Sequence, residues 1–242
     1  MFINGKVHLL FEQSGCFKNE FRKLGYEAFD YDIQNNFGET DYQMDIFAEL
    51  EKAWRGGYNI FNSFSEDDLV MAFFPCVYFE TIQQLVFALA KFDQRGKDKT
   101  VQIESAIERL DKRTEYHKLL YKLLWCAYKY KFRLIIENPA TEPNYLITGQ
   151  NFPTPTFIDK DRTLRGDVFK KPTGWWFINC EPTHGMTIQK DKEVRRIDRS
   201  KSSPVAGLCS EERSMIHPDY ARLFIHDFIL GKELPGSQLS LF

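Results

Sequence analysis

The sequence predicts an α/β protein built on a Rossmann-like, mostly parallel sheet, and three features predict it. Short apolar runs at residues 6–11, 68–72 and 132–136 have the length and unbroken hydrophobicity of strands covered on both faces. Stretches with helical periodicity separate these runs, which gives alternation of strand and helix rather than a series of hairpins. Residues able to do chemistry follow the runs, at the carboxyl edge where open α/β sheets place their ligands.

The first run, KVHLLF, leads into a tight loop, Glu12-Gln13-Ser14-Gly15-Cys16-Phe17, with one glycine. A helix follows with Phe17, Phe21 and Leu24 on one face, and Gly25 is its expected stop. Residues 27–31 form a second strand ending at Asp32. Strand, glycine turn, helix, strand, acid is the order of a nucleotide-binding unit. The turn lets backbone approach the ligand, and the acid accepts from ribose hydroxyls. Gly15 and Asp32 are 17 residues apart, near the usual interval of about 20. The GxGxxG pattern is absent, which argues against a dinucleotide and leaves room for an adenosyl ligand without a pyrophosphate. Asp45 precedes the helical stretch AELEKAW and reads either as an acid facing an adenine amine or as a helix cap.

The run at 68–72 ends in Phe74-Pro75-Cys76, where proline stops the ladder and a small thiol is left at the edge. Cys76 reads as a nucleophile or as one more buried small hydrophobe. Helices are expected at 81–92 and at about 102–130, the second with Ile103, Ile107, Leu110, Leu120, Leu124 and Ala127 in a stripe and a break near Lys112-Arg113-Thr114. His117 on it reads as a surface or packing residue. The run at 132–136 ends in Glu137-Asn138-Pro139, a second proline stop beside Cys76.

Beyond residue 140 the texture changes. Residues 141–155 are rich in Pro, Asn, Gly and Thr, which marks a loop region. Residues 159–201 hold eleven Lys and Arg against seven acids, together with Trp175-Trp176-Phe177, in a chain of net charge −2. Basic residues interleaved with aromatics suit phosphate contact and base stacking, or else a solvated charged face over core aromatics. Residues 191–203 read as mobile. A helix at 218–230 is expected to return to the sheet. The division expected is an α/β core at 1–140, a small basic and aromatic region at 141–205, and a C-terminal helical segment at 206–242.

Five cysteines, odd in number and without a CxxC pair, argue against a disulfide framework or zinc site and for a reducing compartment. The N-terminus lacks the apolar length of a signal peptide, and no apolar run is long enough to span a membrane. A cytoplasmic monomer without metal is the expectation.

In their order these blocks resemble the DNA cytosine-5 methyltransferases, particularly the compact ones of phages and mobile elements. Residues 11–17, FEQSGCF, are similar to the family's cofactor loop, with Glu12 and Cys16 where a small residue and a further glycine are usual. Phe74-Pro75-Cys76 with Phe79 looks like the FPCxxF nucleophile motif, with Val77 and Glu80 where Gln and Ser are common. Glu137-Asn138 matches the family's Glu-Asn pair. Gly166-Asp167, Lys170-Lys171-Pro172-Thr173 and residues 213–218 resemble the closing elements of the compact group.

The resemblance implies a class I methyltransferase fold with a small inserted recognition region, S-adenosylmethionine as cofactor, and DNA as substrate. It implies Cys76, Glu137 and Asn138 as catalytic residues, and Phe11, Glu12, Ser14, Gly15, Asp32, Asp45 and Pro75 around the cofactor. Arg162, Arg165, Lys170 and Lys171 are the candidate DNA contacts. Two other readings stay open: methylation of RNA or another pyrimidine, and a catalytically silent nucleotide- or DNA-binding module.

Overall fold

The structure, a computed structural model, describes residues 1–89, 96–183 and 215–231. Its strands are β1 (Val7–Leu10), β2 (Ala28–Asp32), β3 (Tyr42–Gln43), β4 (Leu69–Phe73), β5 (Arg133–Pro139), β6 (Phe157–Asp159) and β7 (Thr173–Ile178). Its α-helices are α1 (Cys16–Lys23), α2 (Ile46–Trp54), α3 (Thr81–Phe87), α4 (Lys99–Tyr130), α5 (Tyr145–Thr148) and α6 (Pro218–Phe224), the last continuing as a π-helix over Ile225–Leu230. The strands form one sheet of order β3-β2-β1-β4-β5-β7-β6. Every neighbouring pair is parallel except those made by β7, which runs against β5 and β6. This is an α/β architecture with a seven-stranded, mostly parallel sheet, compatible with a Rossmann-like fold.

Alternation along each strand divides the core into two layers. Leu9, Leu69, Met71, Ile135 and Trp175 face α1 and α6. Leu10, Val70, Ala72, Leu134, Ile136 and Trp176 face α2 and the second half of α4. The central strands are apolar on both sides because both sides are covered, which is why they read as unbroken runs.

Several expectations need correction. Glu137, Asn138 and Pro139 do not follow β5 but belong to it, opposite Trp175, Gly174 and Thr173. The antiparallel β7 continues the ladder past the point where proline was expected to end it. Helix α4 is unbroken at Arg113, whose buried side chain donates from Nε to the Tyr78 carbonyl at 3.1 Å. Its apolar stripe serves the core over only half its length: Leu120, Leu124 and Ala127 are buried, whereas Ile103, Ile107 and Leu110 are exposed. Leu24 is exposed at the end of α1, although Gly25 does take the positive φ of a helix stop.

Trp175 and Trp176 are core residues rather than stacking surfaces. Strands β6 and β7 thus bind part of the 141–205 region into the common sheet. The end of the expected 81–92 helix, the stretch at 191–203 for which mobility was expected, Cys209, Arg213, Ser214 and the tail lie wholly or partly outside the described residues.

Phe17 ties α1 to the sheet and to α6 within one layer. It is fully buried, with ring centroids 5.0 Å from Phe73 on β4, 6.3 Å from Trp175 on β7 and 5.9 Å from Phe224 on α6. Phe17→Ala is expected to lower unfolding free energy by about 3–5 kcal/mol in urea titration. A loss below about 1 kcal/mol would contradict this packing.

Candidate active site at the sheet switch point

Chain order reverses between β1 and β4. From β1 the chain moves to β2 and β3 on one side, and β4 and β5 build the other. Leu10 and Ala72 are register partners, so the loops leaving β1 and β4 diverge from adjacent positions, the place where open α/β sheets hold their ligands. On the far side of β4, Phe73 is level with Glu137. Two loops and one strand end therefore meet at a single edge.

The β1 loop begins at Phe11, whose φ of 61° is unusual for a bulky residue and turns the chain sharply. Its ring rests against Phe47 and Phe74. Glu12 then folds back beneath the helix: its Oε1 accepts from the Phe17 N–H at 3.0 Å and from the Ser14 hydroxyl at 3.1 Å. Gly15 takes φ 67° to start α1, and a side chain there would collide with Glu39. A helix N-terminus attracts anions, and in this chain Glu12 already supplies one. A ligand phosphate would compete with it, whereas a ligand bearing a cation would complement it. Glu12 Oε2 is buried and accepts no hydrogen bond from the described residues. Burial raises the Glu12 carboxyl to about 7, against the lowering effect of its bonds to the α1 backbone.

Asp32 ends β2 as expected. Its Oδ1 accepts from the Gln34 N–H at 2.8 Å, and burial raises its carboxyl above the ordinary value. Asp45 is the N-cap of α2, accepting from the Ala48 N–H at 3.1 Å. The helix-cap reading of Asp45 accounts for that contact. An acceptor after β2 and the Glu12 oxygen without a partner among the described residues are the groups that a ligand with an adenosyl end and a cationic end would need here.

Pro75 and Cys76 follow β4 in a turn held from several directions. Phe79 and Glu80 donate their N–H groups to the Cys76 carbonyl, Arg113 holds the Tyr78 carbonyl, and Asn138 Nδ2 donates to the Phe74 carbonyl at 2.9 Å. The Arg113 guanidinium is also sandwiched between the Phe87 and Tyr145 rings. The half-buried Cys76 donates its thiol to Glu80 Oε1 at 3.1 Å. Burial raises the thiol well above its usual range; Lys171 opposes the rise, and Glu80 and Glu137 add to it.

Glu137 is buried with Oε1 unpartnered, and Asn138 Oδ1 and Arg162 Nη1 are likewise buried and unpartnered. Such groups await a ligand or water.

Arg162 is not on the surface where a DNA contact was expected. It is fully buried and ion-paired to Asp167, and its charge reaches Glu137. Arg165 is mostly buried between Asp159 at 2.9 Å and Asp227 at 3.5 Å. Lys170 is exposed, 3.5 Å from Asp161, and Lys171 acts electrostatically on Cys76. Lys190, Lys192, Arg195, Arg196, Arg199 and Lys201 lie outside the described residues.

Sequence reasoning missed Arg113, which looked like a helix interruption, and the bond between Cys76 and Glu80. The i to i+4 spacing of a thiol and a carboxyl after a strand was the available signal for the second. Among the described residues, no three His, Cys, Asp or Glu side chains are grouped to hold a metal, and no helix is long and apolar enough to cross a membrane. No protein-family model matches this chain, and no curated protein matches it.

The Glu12 arrangement has a pH signature. Between 4.5, its ordinary value, and about 7, the folded chain keeps a proton that the unfolded chain releases. Stability from this group is thus greatest at low pH and falls as pH rises through that window. Glu12→Gln cannot ionise, so its stability relative to wild type is expected to rise between pH 5 and pH 8, by on the order of 3 kcal/mol. A pH-independent difference in urea titrations would contradict the assignment.

Proposed function

We propose that this protein methylates carbon 5 of cytosine in DNA, with S-adenosylmethionine as donor and Cys76 as the covalent nucleophile. The reading includes a class I methyltransferase fold and a recognition role for residues within 141–205. One observation carries it: parallel pairing of β4 with β5 brings Cys76 beside Glu137 and Asn138, across the switch point from a loop suited to a cationic adenosyl ligand. The β1 loop and Asp32 would hold the cofactor, which supplies an electrophilic methyl group when bound.

Carbon 5 of cytosine is a poor nucleophile, and addition of the Cys76 sulfur to carbon 6 makes it enamine-like. Glu137, buried with one free oxygen, is suited to bond ring N3 and the exocyclic amine and to stabilise charge as the sulfur adds. Asn138 positions the turn by holding the Phe74 carbonyl. Since carbons 5 and 6 are out of reach within a duplex, the base must leave the stack. The exposed Lys170 and the basic residues up to Lys201 are the groups we assign to phosphate contact, which is sequence-independent and salt-sensitive. A reducing cytoplasm suits a nucleophile that must remain a thiol.

One observation favours the silent-module alternative: the Cys76 thiol lies well above its ordinary range and bonds to a carboxylate. Trapping separates the two. DNA carrying 5-fluorocytosine at the recognised position is expected to give a complex that survives denaturation, since fluorine blocks the final elimination. Cys76→Ser is expected to abolish it, and Glu137→Gln to slow it by about 10² or more, the scale of a lost proton donor. Trapping without Cys76 would move the nucleophile elsewhere, and no trapping on any cytosine-rich DNA would favour the silent module.

A further inference from the structure

Glu80 stands at the N-cap position of α3, yet its side chain makes no capping bond. It turns back one helical step and accepts the Cys76 thiol at 3.1 Å. An acidic side chain normally favours a helix start by accepting the free N–H groups there. Here that stabilisation is forgone for a contact with sulfur. Three charged groups act on the thiol, each from a different place: Glu80 from the turn, Glu137 from β5, and Lys171 from the segment before β7. Burial and the two carboxyl groups favour the thiol over the thiolate, and Lys171 is the cation that opposes them. A nucleophile held as a thiol needs an acceptor at the moment of attack. Glu137 is ill-suited to that task, because its role at N3 requires it to donate. Glu80 is already within hydrogen-bond reach.

We propose, resting on the reading of Cys76 as a nucleophile, that Glu80 is the catalytic base that takes the Cys76 proton as sulfur adds to the pyrimidine. The S–H bond breaks and its proton passes to Glu80 Oε1. The freed sulfur pair forms the bond to carbon 6. The ring's C5–C6 π pair shifts so that N3 becomes the proton acceptor, and Glu137 donates to it. At release the C5 proton leaves to water and its bonding pair re-forms C5=C6. The C6–S pair returns to sulfur, which takes back the proton held on Glu80, and N3 returns its proton to Glu137. Lys171 lowers the cost of the partial negative charge on sulfur during both transfers. The carboxyl at position 80 thus converts a thiol that burial has made unreactive into one that reacts only when a base occupies the site.

Two measurements test this on the full chain. The first needs no substrate: the pH dependence of Cys76 alkylation by iodoacetamide, followed by peptide mass spectrometry. Removing the Glu80 charge is expected to ease thiolate formation, so Glu80→Gln should be alkylated at least about threefold faster at pH 7.5, half a pH unit of thiol acidity or more. No change would overturn the pairing of the two side chains. The second is the rate of covalent complex formation with 5-fluorocytosine DNA from pH 6 to pH 9.

Wild type is expected to show a plateau above neutral pH. Glu80→Gln should be slower by about 10² at pH 7 and gain about tenfold per pH unit, as the proton must go to solvent. Glu80→Asp, which keeps a base, should restore the plateau at a lower rate. A wild-type profile in Glu80→Gln, with an unchanged circular dichroism spectrum and urea midpoint showing an intact fold, would overturn the role as base. A slow, unit-slope profile in Glu80→Asp as well would also count against it. Failure of wild type to trap any DNA would sink the methyltransferase reading instead, and the alkylation result would still decide the pairing.

Discussion

Parallel pairing of β4 between β1 and β5 is the constraint on which the rest of the molecule depends. Because both neighbours run in the same direction, their carboxyl ends meet at one edge. Because the chain order reverses between β1 and β4, the loops there part rather than crowd. Residues 61 apart in sequence, Cys76 and Glu137, thereby share an electrostatic neighbourhood. The packing beneath them serves this edge. Phe17, Trp175 and Phe224 lock α1 and α6 against one face, while the second half of α4 closes the other.

Several buried polar groups near this edge are not fully paired. Glu12 Oε2, Glu137 Oε1, Asn138 Oδ1 and Arg162 Nη1 have no partner among the described residues, and each such group costs about 1–3 kcal/mol. Surrounding bonds hold these residues in place: Glu12 is fixed by the α1 backbone, Asn138 by the Phe74 carbonyl, Arg162 by Asp167.

Much of this was legible in sequence because the central strands are covered twice and so read as apolar runs. The β1 loop, Asp32 and the placing of Cys76 at a strand end followed from that. What was illegible depended on partners far along the chain. Pro139 could not be recognised as a strand residue without β7, which lies more than thirty positions later. The break expected at Arg113 failed because a charged residue in a helix reads as solvated, whereas this one is stacked between two rings and bonded to the nucleophile turn. Arg162 read as a phosphate ligand for the same reason: sequence shows the charge but not Asp167 facing it in the core. The exposed first half of α4 has a stripe indistinguishable in pattern from its buried second half.

The central claim is that an adduct through Cys76 leads to methylated cytosine in DNA. Bisulfite sequencing of genomic DNA tests it most directly, in a host without cytosine methylation that expresses either wild type or Cys76→Ser. The expected result is protected cytosines in a recurring sequence context with wild type, and none with Cys76→Ser at equal soluble protein. Unprotected DNA with folded wild type, or protection that survives Cys76→Ser, would contradict the account.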